Sequence, residues 1–317
     1  MKRALAAVLV TAAFAFLGWT IFKNWSVVRN FAWHVDPLLL AASLVAHVGV
    51  LAAGTLIWSR IVRRFDAPPV AAIDLLRVWS LSNLARYIPG SIFQFVAAAH
   101  LAGQRGLSKV LLLASLAVHV GMTLLAAAIL GVATLPLASL GVRAPPPWAV
   151  WLLPLSVILV HPAVLNGALR LLARVTRGEA LVWRGSWMAG IWILALEVVS
   201  WVFYGAAFWL FLRSLAPLPV SSMGPVIGVN AFSFIAGYVT PAPGGIGPRE
   251  AMMTLLLSPY YPVGVAAAVA TLARLWSIAA ELGTAALALA LPGGRSAAAA
   301  ATAESTVAAE MGDGRAE

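Results

Sequence analysis

Cysteine is absent from all 317 residues and charge is scarce, with only 10% of the chain Asp, Glu, Lys or Arg. Without a thiol there is no disulfide, no thiolate metal site and no cysteine nucleophile. With so little charge there is too little polar material to coat a soluble globule of this length. The histidines, at 34, 47, 100, 119 and 161, are scattered at spacings that suit no metal site. No Walker-type glycine-lysine motif supplies a nucleotide site, so neither a metal nor another cofactor is expected. What fills the chain is apolar: 62% is hydrophobic, which marks a multi-span membrane protein.

The shortage of acidic residues leaves a formal net charge of +10. Its distribution argues against nucleic acid as a partner. The clusters Lys2-Arg3, Arg60-Arg63-Arg64, Arg105-Lys109 and Arg170-Arg174-Arg177-Arg184 alternate with apolar runs, as cytoplasmic loops do under the positive-inside bias. They also suit the anionic inner leaflet. Both termini are expected to be cytoplasmic.

Apolar runs predict spanning helices over 4–22, 37–58, 110–135, 148–165, 187–211 and 263–291. The first is a full bilayer span rather than a short signal core. Two stretches between them are too polar or too broken for lipid-facing helices. Residues 67–104 lie between basic clusters and read as a re-entrant hairpin from the cytoplasmic side; 220–257 lacks basic flanks and reads as one from outside. The expected fold is all-α integral membrane, six spanning helices plus two opposed re-entrant hairpins in an inverted repeat, over residues 1–295. The repeats cover about 1–140 and 141–295, because three crossings in the first half invert the second. Residues 296–317, Ala-rich with small polar and acidic residues, read as a disordered cytoplasmic tail.

Each hairpin contains helix breakers beside charge. The first reads Asn83-Leu84-Ala85-Arg86-Tyr87-Ile88-Pro89-Gly90-Ser91, the second Thr240-Pro241-Ala242-Pro243-Gly244-Gly245-Ile246-Gly247-Pro248-Arg249-Glu250. Irregular backbone cannot face hydrocarbon, so both tips must be buried in protein or line a polar path. Gly244, Gly245 and Gly247 permit positive φ and close approach to a ligand, and Pro248 suits the first position of a helix. Arg86, Arg249 and Arg274 present planar forks matched to phosphate oxygens. Together with Pro89, Gly90, Gln94 and Glu250 they form the candidate lipid-binding set. Glu197 and Glu281 are charge partners, Glu197 expected to pair with Arg249 or Arg274, while Arg77 is a further intramembrane charge. Asn83, Gln94 and Asn230 are polar positions facing a cavity. His47, His100 and His119 are expected to bond backbone. The Trp residues 19, 25, 33, 58, 148, 151, 183 and 187 are expected in interfacial belts.

The motifs Arg86-Tyr87-Ile88-Pro89-Gly90-Ser91-Ile92-Phe93-Gln94 and Pro243-Gly244-Gly245-Ile246-Gly247-Pro248-Arg249-Glu250, in this order, resemble the paired signatures of the lysylphosphatidylglycerol synthase transmembrane-region family. Phe93 stands where many relatives have Trp. In the bacterial multiple peptide resistance factors this region is the flippase part that carries aminoacylated phosphatidylglycerol between leaflets, and a separate cytoplasmic domain makes the lipid. Here the chain stops soon after the last helix, so aminoacyltransferase activity is not carried over. Stand-alone relatives are associated with glycolipid, polyprenyl-linked sugar or hopanoid pathways. The resemblance implies a flippase-like protein for a phospholipid, glycolipid or polyprenyl-type lipid, a non-enzyme with no catalytic residues of its own. The alternative is a membrane-embedded enzyme or accessory subunit of a lipid-modifying synthase or glycosyltransferase. Such a separately encoded enzyme is one partner to expect, and a second copy of the chain is another.

Overall fold

The computed structural model describes residues 19, 22–66, 70–84, 93–134, 151–176, 178–240 and 242–292. Most of the first expected span, the tip of the first hairpin and the C-terminal tail lie outside them. All regular structure among the described residues is helical: α1 (Trp25–Asn30), α2 (Pro37–Val62), α3 (Ala72–Leu84), α4 (Phe93–Gly103), α5 (Lys109–Thr134), α6 (Leu152–Leu159), α7 (Pro162–Thr176), α8 (Trp187–Leu215), α9 (Met223–Val239), α10 (Pro248–Leu257) and α11 (Val263–Ala290). Helices α2, α5, α8 and α11 are long and apolar enough to cross a bilayer, as is the stretch Val220–Val239, making the chain a multi-pass membrane protein.

Local signals set the helix ends. Asp36 caps α2, its Oδ1 accepting from the backbone N–H groups of Leu38 and Leu39 at 2.9 and 3.0 Å, with Pro37 in the first turn. Ser186 caps α8 by accepting from Ala189 N at 3.2 Å. The fourth expected span is not one straight helix. It breaks at Val160–His161, where Pro162 removes a donor and steers the preceding residue from helical angles, and α6 and α7 diverge by 68°. Helix α7 is amphipathic, burying Leu169 and Ala173 and exposing Arg170, Leu171 and Arg174.

One helix from each of two pairs, α3 and α10, packs on α11. In the first, α3 packs on α4 and their outer ends are joined by Arg105 Nε and Asp74 Oδ1 at 3.3 Å. Arg77, also on α3, donates to the carbonyls of Ala288 and Leu291 at 2.9 and 2.6 Å, closing the C-terminal end of α11. It therefore caps a helix end. In the second pair, α9 packs on α10, which leads through Ser258–Pro262 directly into the N-terminal end of α11. The first arm of this pair, with its opening turn, is 20 residues long.

The segments that carry Arg64 and Arg184 meet each other. Arg184 N–H donates to Arg64 O at 2.9 Å and its side chain pairs with Asp66. Asn166 on α7 holds the same segment, exchanging two hydrogen bonds with the backbone of Trp183. Trp183 is buried edge-on against Phe65. Trp58 is buried as well, its indole N–H on Ser115 Oγ at 3.1 Å. Both rings are buried within the protein by the packing partners they find there. Trp19, Trp25, Trp151 and Trp187 do remain exposed.

The core has two centres. One surrounds Trp58, Ile61, Leu75 and Met122, and the other Phe208, Leu212, Met253 and Val265. Between apolar helices in lipid, close packing and interhelical hydrogen bonds supply the adhesion that the hydrophobic effect supplies in water. Trp276 N–H on Ser43 Oγ, at 3.1 Å, is one such tie between α11 and α2, contributing about 1 kcal/mol.

Candidate functional site

The second tip is built by glycine. Gly244, Gly245 and Gly247 have φ of 62°, 66° and 101°, a region that disfavours any residue with a side chain. Gly245 also passes against Gly237 of α9, so closely that a Cβ on it would lie 2.8 Å from Gly237 O. Pro248 then opens α10, and Glu250 reaches back to accept from Gly247 N–H at 2.6 Å. A carboxylate there satisfies an orphan donor and complements the positive end of the helix.

From the middle of α11, Arg274 secures this loop. Its Nε donates to Glu250 Oε1 at 2.8 Å, and both terminal nitrogens donate to Gly244 O at 3.2 Å. Arg274 and Glu250 are both buried. Three of the five guanidinium donors are engaged by described residues, leaving two for a further oxygen. Arg249, half-buried at the rim, donates to Tyr204 OH at 2.9 Å. Beside Tyr204 stand His47, stacked on it at 4.7 Å, and Trp276, 4.2 Å from that imidazole and 6.3 Å from the Tyr204 ring. The tip therefore places arginine, a helix N-terminus and an aromatic wall inside the bundle.

Glu281 lies seven residues beyond Arg274 on α11, roughly 10 Å along the axis. It is buried beside a cavity of about 10 Å³ lined also by Leu51, Trp79, Ser80, Asn83 and Thr284. The arginine-rich tip and this carboxylate thus share one helix as separate places.

Glu197 takes neither arginine as partner. Its Oε1 lies 2.9 Å from His119 Nδ1, and Thr123 Oγ1 donates to Oε2 at 3.2 Å. Packing of α5 against α8 sets this pairing and overturns both the arginine partner and the backbone role expected for His119. His100 likewise meets a side chain, Gln104 Nε2, at 3.1 Å. Asn230, expected to face a cavity, is fully buried on α9, with no side-chain hydrogen bond to a described residue. No group of three acidic or imidazole side chains suited to a metal occurs among the described residues.

Of the expected site residues, Gly244, Gly245, Gly247, Arg249, Glu250 and Arg274 converge at the second tip. Glu281 is separate from it, and Glu197 is paired elsewhere. Arg86, Pro89 and Gly90 lie outside the described residues; Gln94 is on the first turn of α4, with its side chain outside them. Sequence reasoning missed Tyr204, Thr123 and Gly237. The last had a signal, a glycine within an apolar helix preceding a glycine-rich turn, where close backbone approach is the usual reason.

Neither a curated protein nor a solved structure matches the chain with significance. The profile described as Lysylphosphatidylglycerol synthase TM region matches residues 4–281, and the chain belongs to that family of membrane proteins linked to lipid modification.

Proposed function

We propose that this protein binds a membrane lipid through an anionic or phosphate-bearing headgroup and carries it between leaflets of the bacterial inner membrane. The observation that carries this reading is the buried junction of Arg274, Glu250 and Gly244, with half-buried Arg249 at its edge. Charge and irregular backbone are costly at such a place unless they meet each other, water or a polar ligand. The N-terminus of α10 and the remaining Arg274 donors favour a negative group, and the Tyr204 hydroxyl holds the Arg249 fork at the rim. Acyl or prenyl chains would stay in lipid while the headgroup follows the polar path. The basic end of the bundle is assigned to the cytoplasm by the positive-inside bias. A separately encoded lipid synthase or glycosyltransferase would supply or consume the cargo.

The test is reconstitution into liposomes with a panel of labelled lipids differing in headgroup. Wild type is expected to move at least one anionic lipid, and Arg249→Ala to slow it by about tenfold or more. Arg249→Lys should not restore the rate, because an ammonium lacks the bidentate fork. Unchanged movement in Arg249→Ala, or no movement of any lipid by wild type, would overturn the proposal.

A further inference from the structure

Helix α7 carries three stripes of different chemistry. Successive residues of a helix are turned by about 100°. Leu169 and Ala173 therefore share one side, and both are buried against the bundle. Val164, Leu171 and Val175 fall on nearly the opposite side, and they are 37%, 61% and 75% exposed. Arg170 and Arg174 lie between the two, exposed, with Ala163 on the same stripe. The helix contains no acidic residue.

Its depth follows from its attachments. Trp187, the first residue of spanning helix α8, donates its indole N–H to Val157 O at 2.8 Å and packs edge-on to His161 at 5.2 Å. Val160 O comes so near Gly190 that a Cβ there would lie 2.5 Å away. The corner between α6 and α7 is thus level with the end of a membrane span. Just beyond it, Asn166 grips the backbone of Trp183, four residues before α8 begins. The chain turns by 68° at the corner, so α7, about 22 Å long, leaves the line of α6 at the membrane boundary.

An upright α7 inside the bilayer would put Arg170 and Arg174 among acyl chains, a costly place for charge. A helix projecting into water would expose Val164, Leu171 and Val175 together. Lying flat at the edge of the bundle gives each stripe its own medium. Leu169 and Ala173 then meet protein, the exposed apolar stripe meets acyl chains, and the arginines meet headgroups.

We propose that α7 lies in the membrane plane as a docking surface for anionic phospholipid, with Arg170 and Arg174 on headgroup phosphates and Val164, Leu171 and Val175 in the acyl region beneath. Two arginines with no acidic residue on their helix complement a negatively charged leaflet. In such a helix apolar burial and attraction to anionic lipid add together. The surface shares no residue with the tip at Arg274 and does not depend on lipid translocation.

The experiment uses the full chain in proteoliposomes of phosphatidylcholine and phosphatidylglycerol. Because the 317 residues contain no cysteine, one introduced cysteine carries a single spin label. Depth is read from collisions with oxygen, which favours hydrocarbon, and with a water-soluble nickel complex. Labels on Val164→Cys, Leu171→Cys and Val175→Cys are expected at one depth, about 5–10 Å into the acyl boundary, and the label on Ala163→Cys at the headgroups. Depths of Val164→Cys and Val175→Cys that differ by about 16 Å would mean an upright helix and overturn the proposal. So would nickel access at all four labels, which marks a helix in water, or shielding of the apolar stripe from both reagents, which marks a protein partner. For the headgroups, a fluorescent label on Val175→Cys reports energy transfer to trace acyl-labelled phosphatidylglycerol or phosphatidylcholine. Transfer to phosphatidylglycerol is expected to be the greater, and Arg170→Gln with Arg174→Gln should cut that excess by about fivefold or more. Equal transfer to the two lipids, or an excess unchanged in the double variant, overturns the docking of anionic lipid. Every substituted position is exposed, so the packed side of α7 is left intact.

Discussion

Arg274 Nε lies 2.8 Å from Glu250 Oε1, a buried contact that joins the middle of α11 to the first turn of α10 across a glycine loop. Removing either partner strands the other charge. Arg274→Ala and Glu250→Ala should each cost about 3–5 kcal/mol, read as a lowered unfolding midpoint in detergent. The double variant Arg274→Leu with Glu250→Leu should recover part of that loss. Single-variant costs below about 1 kcal/mol would show that the pair behaves like an exposed one.

The glycines of the loop separate two physical effects. At Gly244 an added Cβ would meet only Ile246 among the described residues, at 3.8 Å, so Gly244→Ala should cost the positive φ, about 1–2 kcal/mol. At Gly245 a similar φ is combined with close approach to the Gly237 backbone, which cannot move aside without opening the tip from α9. Gly245→Ala should cost about 3 kcal/mol or more. Equal losses at the two positions, measured by unfolding, would contradict this account.

The His119–Glu197 pair ties α5 to α8. Unfolding of Glu197→Gln, His119→Gln and the double variant forms a cycle with an expected coupling of about 0.5–3 kcal/mol. Additive losses would mean that the two groups do not interact in the folded protein.

Asn166 holds the segment before α8 through two hydrogen bonds to Trp183. Asn166→Ala should lose about 1–3 kcal/mol locally. Because Arg184 follows the anchored residue, trypsin should cut there faster in the variant than in wild type. An unchanged cleavage rate would place the anchor elsewhere, in the bond from Arg184 N–H to Arg64 O.

Much of the second tip was legible because its signals are local. Positive φ at Gly244, Gly245 and Gly247 and the helix opening at Pro248 follow from what single residue types permit. Pro162 carried the same kind of signal, and it breaks the helical run that composition alone reads as one span. The pairing of charges was not legible. Glu197 and Glu250 are both acidic residues within apolar surroundings, yet they meet His119 with Thr123 and Arg274 respectively.

Composition by itself determined that this chain lives in a membrane, since 62% hydrophobic residues cannot be hidden in water by 10% charged ones. It also determined where the backbone must be irregular, because proline and glycine act on their own φ angles and donors. Only the tertiary structure decided which charges meet and which tryptophans are buried. Helices such as α2 and α8 are apolar nearly all round, so their sequences carry no stripe that fixes which side faces which neighbour. That rotation is set by packing, and packing placed Arg274 on Glu250 while leaving Glu281 beside a separate cavity.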